Sequence, residues 1–471
     1  MQSGIAAAPA ALTIRRGRGG GGAWRGDSGG GWPNLRASPK ETTGLTRLLF
    51  THPAWRRLTI LALYGYQGLV AGFALTALPN HLAAGGVPSA DIGATMAATG
   101  LPWVLQPLWG PLVDRFGEHR MGRRRAWILA GLGGGLLCLT ALPWAGDGAA
   151  ALPWIGLILC LHNACAALAD TAVDAMIIDR VPPGRLGEAT ALTRAGFVSG
   201  MALGAVLFST VIAAHGLAAA EHLLLLVGLL ATALPVLVRE EAGDALLSLR
   251  RKAVAATRRI SYLAFLGTLL GFARRREMLI LLAICVAEEF ATAAFGVHFG
   301  LELVATGRWE ATSLSHLQGG LTLASGTAGA FAIGLWLDRV GPRHALRLLL
   351  GCCALAYVAT AVLLLGPQGS WLEASAMALS SIVPALVFVS LAPAVMQAIQ
   401  GGGAATQFAF VMAALNGGGI LGSAASGRIG AVLPSWQIAL GGAAIFALCA
   451  LAASRPTGLF GPVPEAKVST E

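Results

Sequence analysis

The chain has 471 residues, of which 55% are hydrophobic and only 12% charged, with a formal net charge of +10. A soluble domain carries about 25% charged residues, and here the charge is missing from long blocks instead of being thinned evenly, which excludes an ordinary soluble enzyme. A basic excess can signal nucleic acid, but Lys and Arg fall in short stretches between apolar runs, so the expected partners are the lipid bilayer and a small-molecule solute, with no nucleic acid.

Residues 1–46 are rich in Gly, Arg and Ala, with GGGG at Gly19–Gly22. They contain no apolar run of signal-peptide length, so they are expected to form a disordered cytoplasmic tail, or to reflect a start codon assigned too far upstream. Apolar runs long enough to span a bilayer then follow at 57–79, 91–112, 126–145, 151–178, 188–214, 221–238, 277–303, 312–337, 344–366, 371–398, 404–427 and 435–454. Of the 33 Lys and Arg residues, thirty lie in the tails and alternate connections, whereas Arg308 and Arg428 fall on the other side and Arg194 within a span. By the positive-inside rule both termini are cytoplasmic and the number of spans is even. The expected organisation is a tail (1–46), a six-helix lobe (47–238), a cytoplasmic central loop (239–276), a second six-helix lobe (277–454) and a short cytoplasmic tail (455–471).

The stretch Gly110–Arg125, GPLVDRFGEHRMGRRR, joins the second and third spans. Gly110 suits a close helix approach, Asp114 and Arg115 a charge pair at the membrane surface, and Gly117 a helix break. Arg120, Arg123, Arg124 and Arg125 form a basic clamp. Gly334–Gly341, GLWLDRVG, repeats the pattern G-x-x-x-D-R-x-G with Gly334, Asp338 and Arg339 at the matching place in the second half. A motif repeated in two six-span halves predicts a duplicated transporter, with the two loops acting as a gate that latches one state.

Ionisable residues inside spans cost about 2.5–3.5 kcal/mol each on insertion scales, so each is a functional candidate. The fourth span reads LHNACAALADTAVDAMIID over Leu161–Asp179, placing His162, Asp170 and Asp174 on one expected helix face. At 1.5 Å per residue, Asp174 lies roughly 9 Å and Asp170 roughly 15 Å from the cytoplasmic end, the latter near mid-membrane. Arg194 is the internal cation expected to pair with them, either as a cavity charge or as glue between the fourth and fifth spans. The seventh span carries Glu288 and Glu289, which point about 100° apart, so one of them is expected to face the central cavity; Glu288 is the first choice for proton coupling, beside Asp170 and Asp174. Gln67, Gln106, Asn163, Gln318, Gln407 and Asn416 are candidates for hydrogen bonds to a solute or to a neighbouring helix. The seven cysteines lie in apolar runs without metal-ligand spacing, and no phosphate loop or catalytic triad is present, so no metal, cofactor or catalytic residue is expected.

The loop pattern at Gly110–Arg125 resembles the second-to-third-span loop of the major facilitator superfamily. Within it, three further stretches resemble the AmpG-type muropeptide permeases and the related acetyl-CoA transporters: Asp170-Thr-Ala-Val-Asp174-Ala with Arg185-Leu-Gly-Glu-Ala, Glu288-Glu-Phe-Ala291, and Ala405-Thr-Gln-Phe-Ala409. The resemblance implies an all-α fold of twelve transmembrane helices in two lobes. It also implies proton-driven import of a bulky solute such as an anhydromuropeptide, by alternating access, across the inner membrane of Gram-negative bacteria by a monomer. Siderophore importers share this branch, and a non-transporting assembly factor on the same fold is the alternative from another class. One departure is visible. Where the family has an Arg before a Leu-Gly-Met-like turn, this chain reads Val198-Ser-Gly-Met201, with Arg194 one turn earlier.

Overall fold

The computed structural model describes residues 48–454 apart from 117–118, 183–184, 249, 251–266, 268–269, 330–331, 333–335, 337–339, 368 and 399–403. Both tails and much of the central loop therefore lie outside the described residues. So do Gly117, Gly334, Asp338 and Arg339 of the repeated motif.

Among the described residues the regular structure is helical, apart from one isolated bridge between Leu49 and Arg239. Helix suits a hydrocarbon solvent because every backbone polar group is satisfied within its own segment. Twelve helical segments follow the twelve apolar runs: α1 (Pro53–Ala84), α2 in two pieces (Ser89–Val104 and Trp109–Arg115), α3 (Arg125–Leu139), α4 (Leu152–Arg180), α5 (Leu186–His215), α6 (Leu217–Leu237), α7 (Arg276–Ala305), α8 (Ala311–Ala324), α9 (Pro342–Leu365), α10 (Ser370–Ala398), α11 (Ala404–Gly430) and α12 (Ser435–Ser454). Ten of the segments are long and apolar enough to cross a membrane as one helix. The two that are not have local reasons. α2 is interrupted around Leu105 by Pro102 and Pro107, which remove backbone donors. α8 runs into a π-helical turn at Ser325–Gly329, and the chain beyond it is only partly described.

The packing repeats. α1 lies along α5, and α3 lies against α4 and α6; six helices later α7 lies along α11, and α9 against α10 and α12. The lobes meet through α2 with α11 and α5 with α8. Absent side chains allow the closest pairs: a Cβ on Gly204 of α5 would sit 3.0 Å from the Leu69 Cα of α1, and one on Gly422 of α11 would sit 2.9 Å from the Ala294 nitrogen of α7.

The α2–α3, α4–α5 and α6–α7 connections share one face of the bundle, here termed the basic face. Inter-lobe contacts concentrate toward the opposite face. There Asn80 of α1 donates to Ser315 Oγ and Gln318 Oε1 of α8, both at 2.8 Å, and Thr210 of α5 meets His316 of α8 at 3.0 Å. Gly427 and Gly93 pack directly against Ala90 and Ser423 across the same seam.

Candidate functional site

At the basic face, Arg124 is the hub of the α2–α3 loop. Its Nη1 lies 2.6 Å from Asp114 Oδ1 at the end of α2, its Nε donates to Asp179 Oδ2 at 2.8 Å at the end of α4, and its backbone N–H donates to Glu240 at 2.9 Å. Burial works against the Arg124 charge, yet the hydrogen bonds to Asp179 and Asp114 outweigh it and raise the guanidinium pKa above its usual value. Burial likewise raises the Glu240 carboxyl, against the hydrogen bond it accepts from the Arg124 amide. Gly122 adopts φ +113°, and a Cβ there would meet the Glu240 carboxylate, so this turn needs glycine. Arg123 is peripheral, 3.9 Å from Asp114 and half exposed. Arg125 is buried and donates to the carbonyls of Met121, Pro235, Val236, Ala245 and Leu246.

The side chain of Arg115, the expected partner of Asp114, lies outside the described residues; the described cation nearest Asp114 is Arg124, because the loop folds back and brings a residue ten positions on over the helix end. One expectation for this loop changes. Gly110 has nothing within 4 Å of where a Cβ would sit, so it does not mediate a close helix approach.

Deeper in the first lobe, two acids of α4 meet polar side chains of α1 and α2. Asp170 accepts from Gln106 Nε2 of α2 at 2.6 Å, and Gln67 of α1 lies within reach of it. Asp174, exposed, accepts a hydrogen bond from the Tyr64 hydroxyl of α1. No cation pairs with either acid among the described residues. His162 does not join them: it is 3% exposed, contacts the Gly135 carbonyl of α3 at 3.1 Å and packs edge-on to Tyr66. Eight residues advance a helix by 800°, leaving His162 about 80° off the Asp170 direction. Asn163 donates to the Thr99 carbonyl of α2 at 2.7 Å, a helix-packing role.

Arg194 is likewise not where the spacing put it. It turns from α4 toward the second lobe, its Cζ 4.9 Å above the Phe388 ring of α10, and the carboxylate whose charge reaches it is Glu289 of α7. Glu289 is half-buried over the glycine face of α11, 3.8 Å from where a Cβ on Gly419 would sit. Glu288 points the other way. It is 2% exposed inside the second lobe, near Cys285, Cys353 and Tyr357, and Cys449 of α12, so Glu289 is the member of the pair turned toward Arg194. On α11, Gln407 is 5% exposed and its Oε1 has no hydrogen-bond partner among the described residues, and Asn416 is half-buried; neither is brought to the α4 acids.

A cavity of about 160 Å³ lies between α5, α8 and α10, lined by Arg194, Phe197, Thr322, Ser325 and Ser381 among others. A second, of about 240 Å³, adjoins it at Thr322 and Ser381 and runs toward the Asn80 seam. Tyr64 and Phe388 are the functional residues that spacing alone misses. An aromatic residue in an apolar run carries no polar signal, although Tyr64 and Gln67, three apart on α1, do share a face with the acids.

The sequence profile of the Major Facilitator Superfamily matches residues 60–423. A folate-biopterin transporter of Synechocystis sp. is 28% identical over 171 residues, 36% of this chain and 32% of that protein. An anhydromuropeptide permease of Escherichia coli is 32% identical over 104 residues, 22% of this chain and 21% of that one. The chain thus matches a third or less of the length of these relatives. Among solved structures, the nucleoside transporter NupG superposes with a TM-score of 0.57 at 16% identity, covering 85% of this chain and 98% of that one. The duplicated packing, the inter-lobe cavity with its intramembrane charges and the profile match agree: the chain is a multi-pass membrane protein that belongs to the Major Facilitator Superfamily of transporters.

Proposed function

We propose that this protein is a proton-coupled importer of a bulky small-molecule solute, acting as a monomer in a bacterial inner membrane. The observation that carries this reading is the acid pair of α4, Asp170 and Asp174, held by uncharged donors of α1 and α2 and without a cation among the described residues. An ionised carboxylate at that depth is costly and a protonated one much less so, so proton occupancy biases which lobe arrangement is favoured. Glu289 of the second lobe is the other acid in position to carry a proton, whereas Glu288 is buried inside its own lobe. The seam sealed at Asn80 and Thr210 corresponds to a state open toward the basic face, and transport alternates it with one in which that seam parts.

The match to an anhydromuropeptide permease makes anhydromuropeptides the first solute to test. The longer match to a folate-biopterin transporter favours a second reading, a folate-type solute. In proteoliposomes, an imposed pH gradient should drive accumulation of a labelled anhydromuropeptide, with folate as the comparison, and a protonophore should abolish it. Accumulation indifferent to the protonophore would sink proton coupling, and accumulation of folate alone would select the second reading.

The basic face is proposed to be cytoplasmic, on the charge asymmetry of the connections. Single cysteines at Gly148 and at the exposed Ala242, in a cysteine-free background, test it. In intact cells an impermeant thiol reagent should label position 148 and spare 242; the reverse would invert the topology.

A further inference from the structure

Resting on the transport reading above, we propose that Arg194 is the binding site for a carboxylate of the transported solute, and that this carboxylate replaces Glu289 as the charge answering Arg194. The guanidinium lies over the Phe388 ring at the edge of the 160 Å³ cavity, and its Nε is buried without a hydrogen-bond partner among the described residues. Among the residues lining that cavity none is acidic, and Glu289 reaches Arg194 only through its field, with no ion pair between them. A cation kept at such depth with a buried donor unfilled is costly to retain unless a ligand supplies the missing anion.

The rest of the cavity says what else the solute carries. Thr322 Oγ1 donates to the Gln318 carbonyl at 2.9 Å and Ser325 Oγ to the Thr322 carbonyl at 3.1 Å, so both hydroxyl protons are committed to the helix. Their lone pairs are left to accept, which suits N–H or O–H groups on the solute. One guanidinium matches one negative charge, and a planar carboxylate takes it bidentately. A phosphomonoester, at nearly two charges, would leave an excess beside Glu289. The chemical class is therefore a carboxylate-bearing solute rich in N–H or O–H donors, as peptides and sugar acids are.

This arrangement ties the proton to the solute. A carboxylate on Arg194 removes the cation that favours ionised Glu289 and adds a like charge near it, so solute and proton bind cooperatively, each raising the affinity for the other. The other titratable groups facing Glu289 are Glu288 and Cys285 on its own helix and Tyr357 on α9, none of them a cation.

The test uses the full-length protein in nanodiscs and titration calorimetry with an anhydromuropeptide bearing free carboxyls and the same compound with its carboxyls amidated. The free acid should bind wild type about 30-fold or more tightly than the amide, and Arg194→Gln should remove that preference, with Arg194→Lys restoring part of it. Wild type should bind the free acid more tightly as pH falls, by up to about tenfold per pH unit for the Glu289 proton, and Glu289→Gln should bind it tightly and lose that share of the pH dependence, leaving only what the α4 acids contribute. Size-exclusion profiles and cooperative melting establish that each variant is folded. Equal binding of acid and amide, or a pH dependence in Glu289→Gln unchanged from wild type, overturns the site and leaves the transport reading standing. So does protonophore-sensitive uptake of carboxylate-free uridine when neither compound binds. Uptake of none of these solutes overturns both.

Discussion

Asp170→Asn should reduce pH-gradient-driven accumulation to passive equilibration while leaving counterflow exchange of solute intact. Asn reproduces the shape of the protonated carboxyl and can still accept from Gln106 Nε2, now at 2.6 Å from the acid, so the bundle loses no packing. What it loses is the ability to give the proton up. With two carboxyls one turn apart, ionising both is opposed by their mutual repulsion, and the Tyr64 hydroxyl on Asp174 and Gln106 on Asp170 each offer a hydrogen bond to the ionised form. Removing the exchangeable proton leaves a carrier that reorients with solute but extracts nothing from the gradient, because a ligand shifts a two-state equilibrium only through differential affinity. Tyr64→Phe keeps both acids and should shift the pH dependence of uptake without abolishing it. Paired measurements of gradient-driven uptake and counterflow decide the matter: equal loss of both would make Asp170 a packing residue, and retention of both would pass the coupling role to Glu289.

Much of the architecture was legible because a bilayer enforces it. Apolar runs of spanning length can only be helices, and twelve such runs become twelve helical segments among the described residues. Even the interruption of α2 has a visible cause in Pro102 and Pro107. The rotation of each helix about its axis was not legible, and the site assignments depend on it. Glu288 and Glu289 differ by one residue, and only the packing of α7 on α11 and α12 shows that the second of them faces Arg194. Arg194 reads toward α4 in the sequence because it is the one cation within a span and those acids lie in the preceding span, whereas α5 turns it to α10. Contacts between lobes are further out of reach: Asn80 and Ser315 are 235 residues apart, and nothing local to either marks the pair. Acids in spans were found because their cost makes them conspicuous; Tyr64 and Phe388 were missed because an aromatic ring in an apolar run has none.

Arg125 shows how a charge motif can be legible while its purpose is not. As part of a basic run between two spans it reads as a topology signal, yet it is 1% exposed and its guanidinium donates to five backbone carbonyls. Two of these, Pro235 and Val236, belong to the last turn of α6, where carbonyls have no partner within the helix. Two others, Ala245 and Leu246, lie in the segment that follows it, whose Ala245 amide in turn donates to the Arg120 carbonyl at 2.9 Å. Arg125 therefore caps α6 and stitches the post-α6 segment to the α2–α3 loop. Arg125→Ala leaves several buried carbonyls unmet and a cavity behind, a cost of about 3–5 kcal/mol, lowering the Tm on the order of 10 °C. Arg125→Lys should recover little, since one ammonium offers three donors from a single point and cannot span both segments. Arg123→Ala, removing a half-exposed side chain 3.9 Å from Asp114, should change the Tm by less than about 2 °C and serves as the control for lost charge. Thermal melts of the three variants in one detergent separate the two roles. If Arg125→Ala melts like Arg123→Ala and only the inserted orientation changes, the residue acts through its charge on the membrane surface. A large fall confined to Arg125 makes it the strut on which the gate loop is mounted.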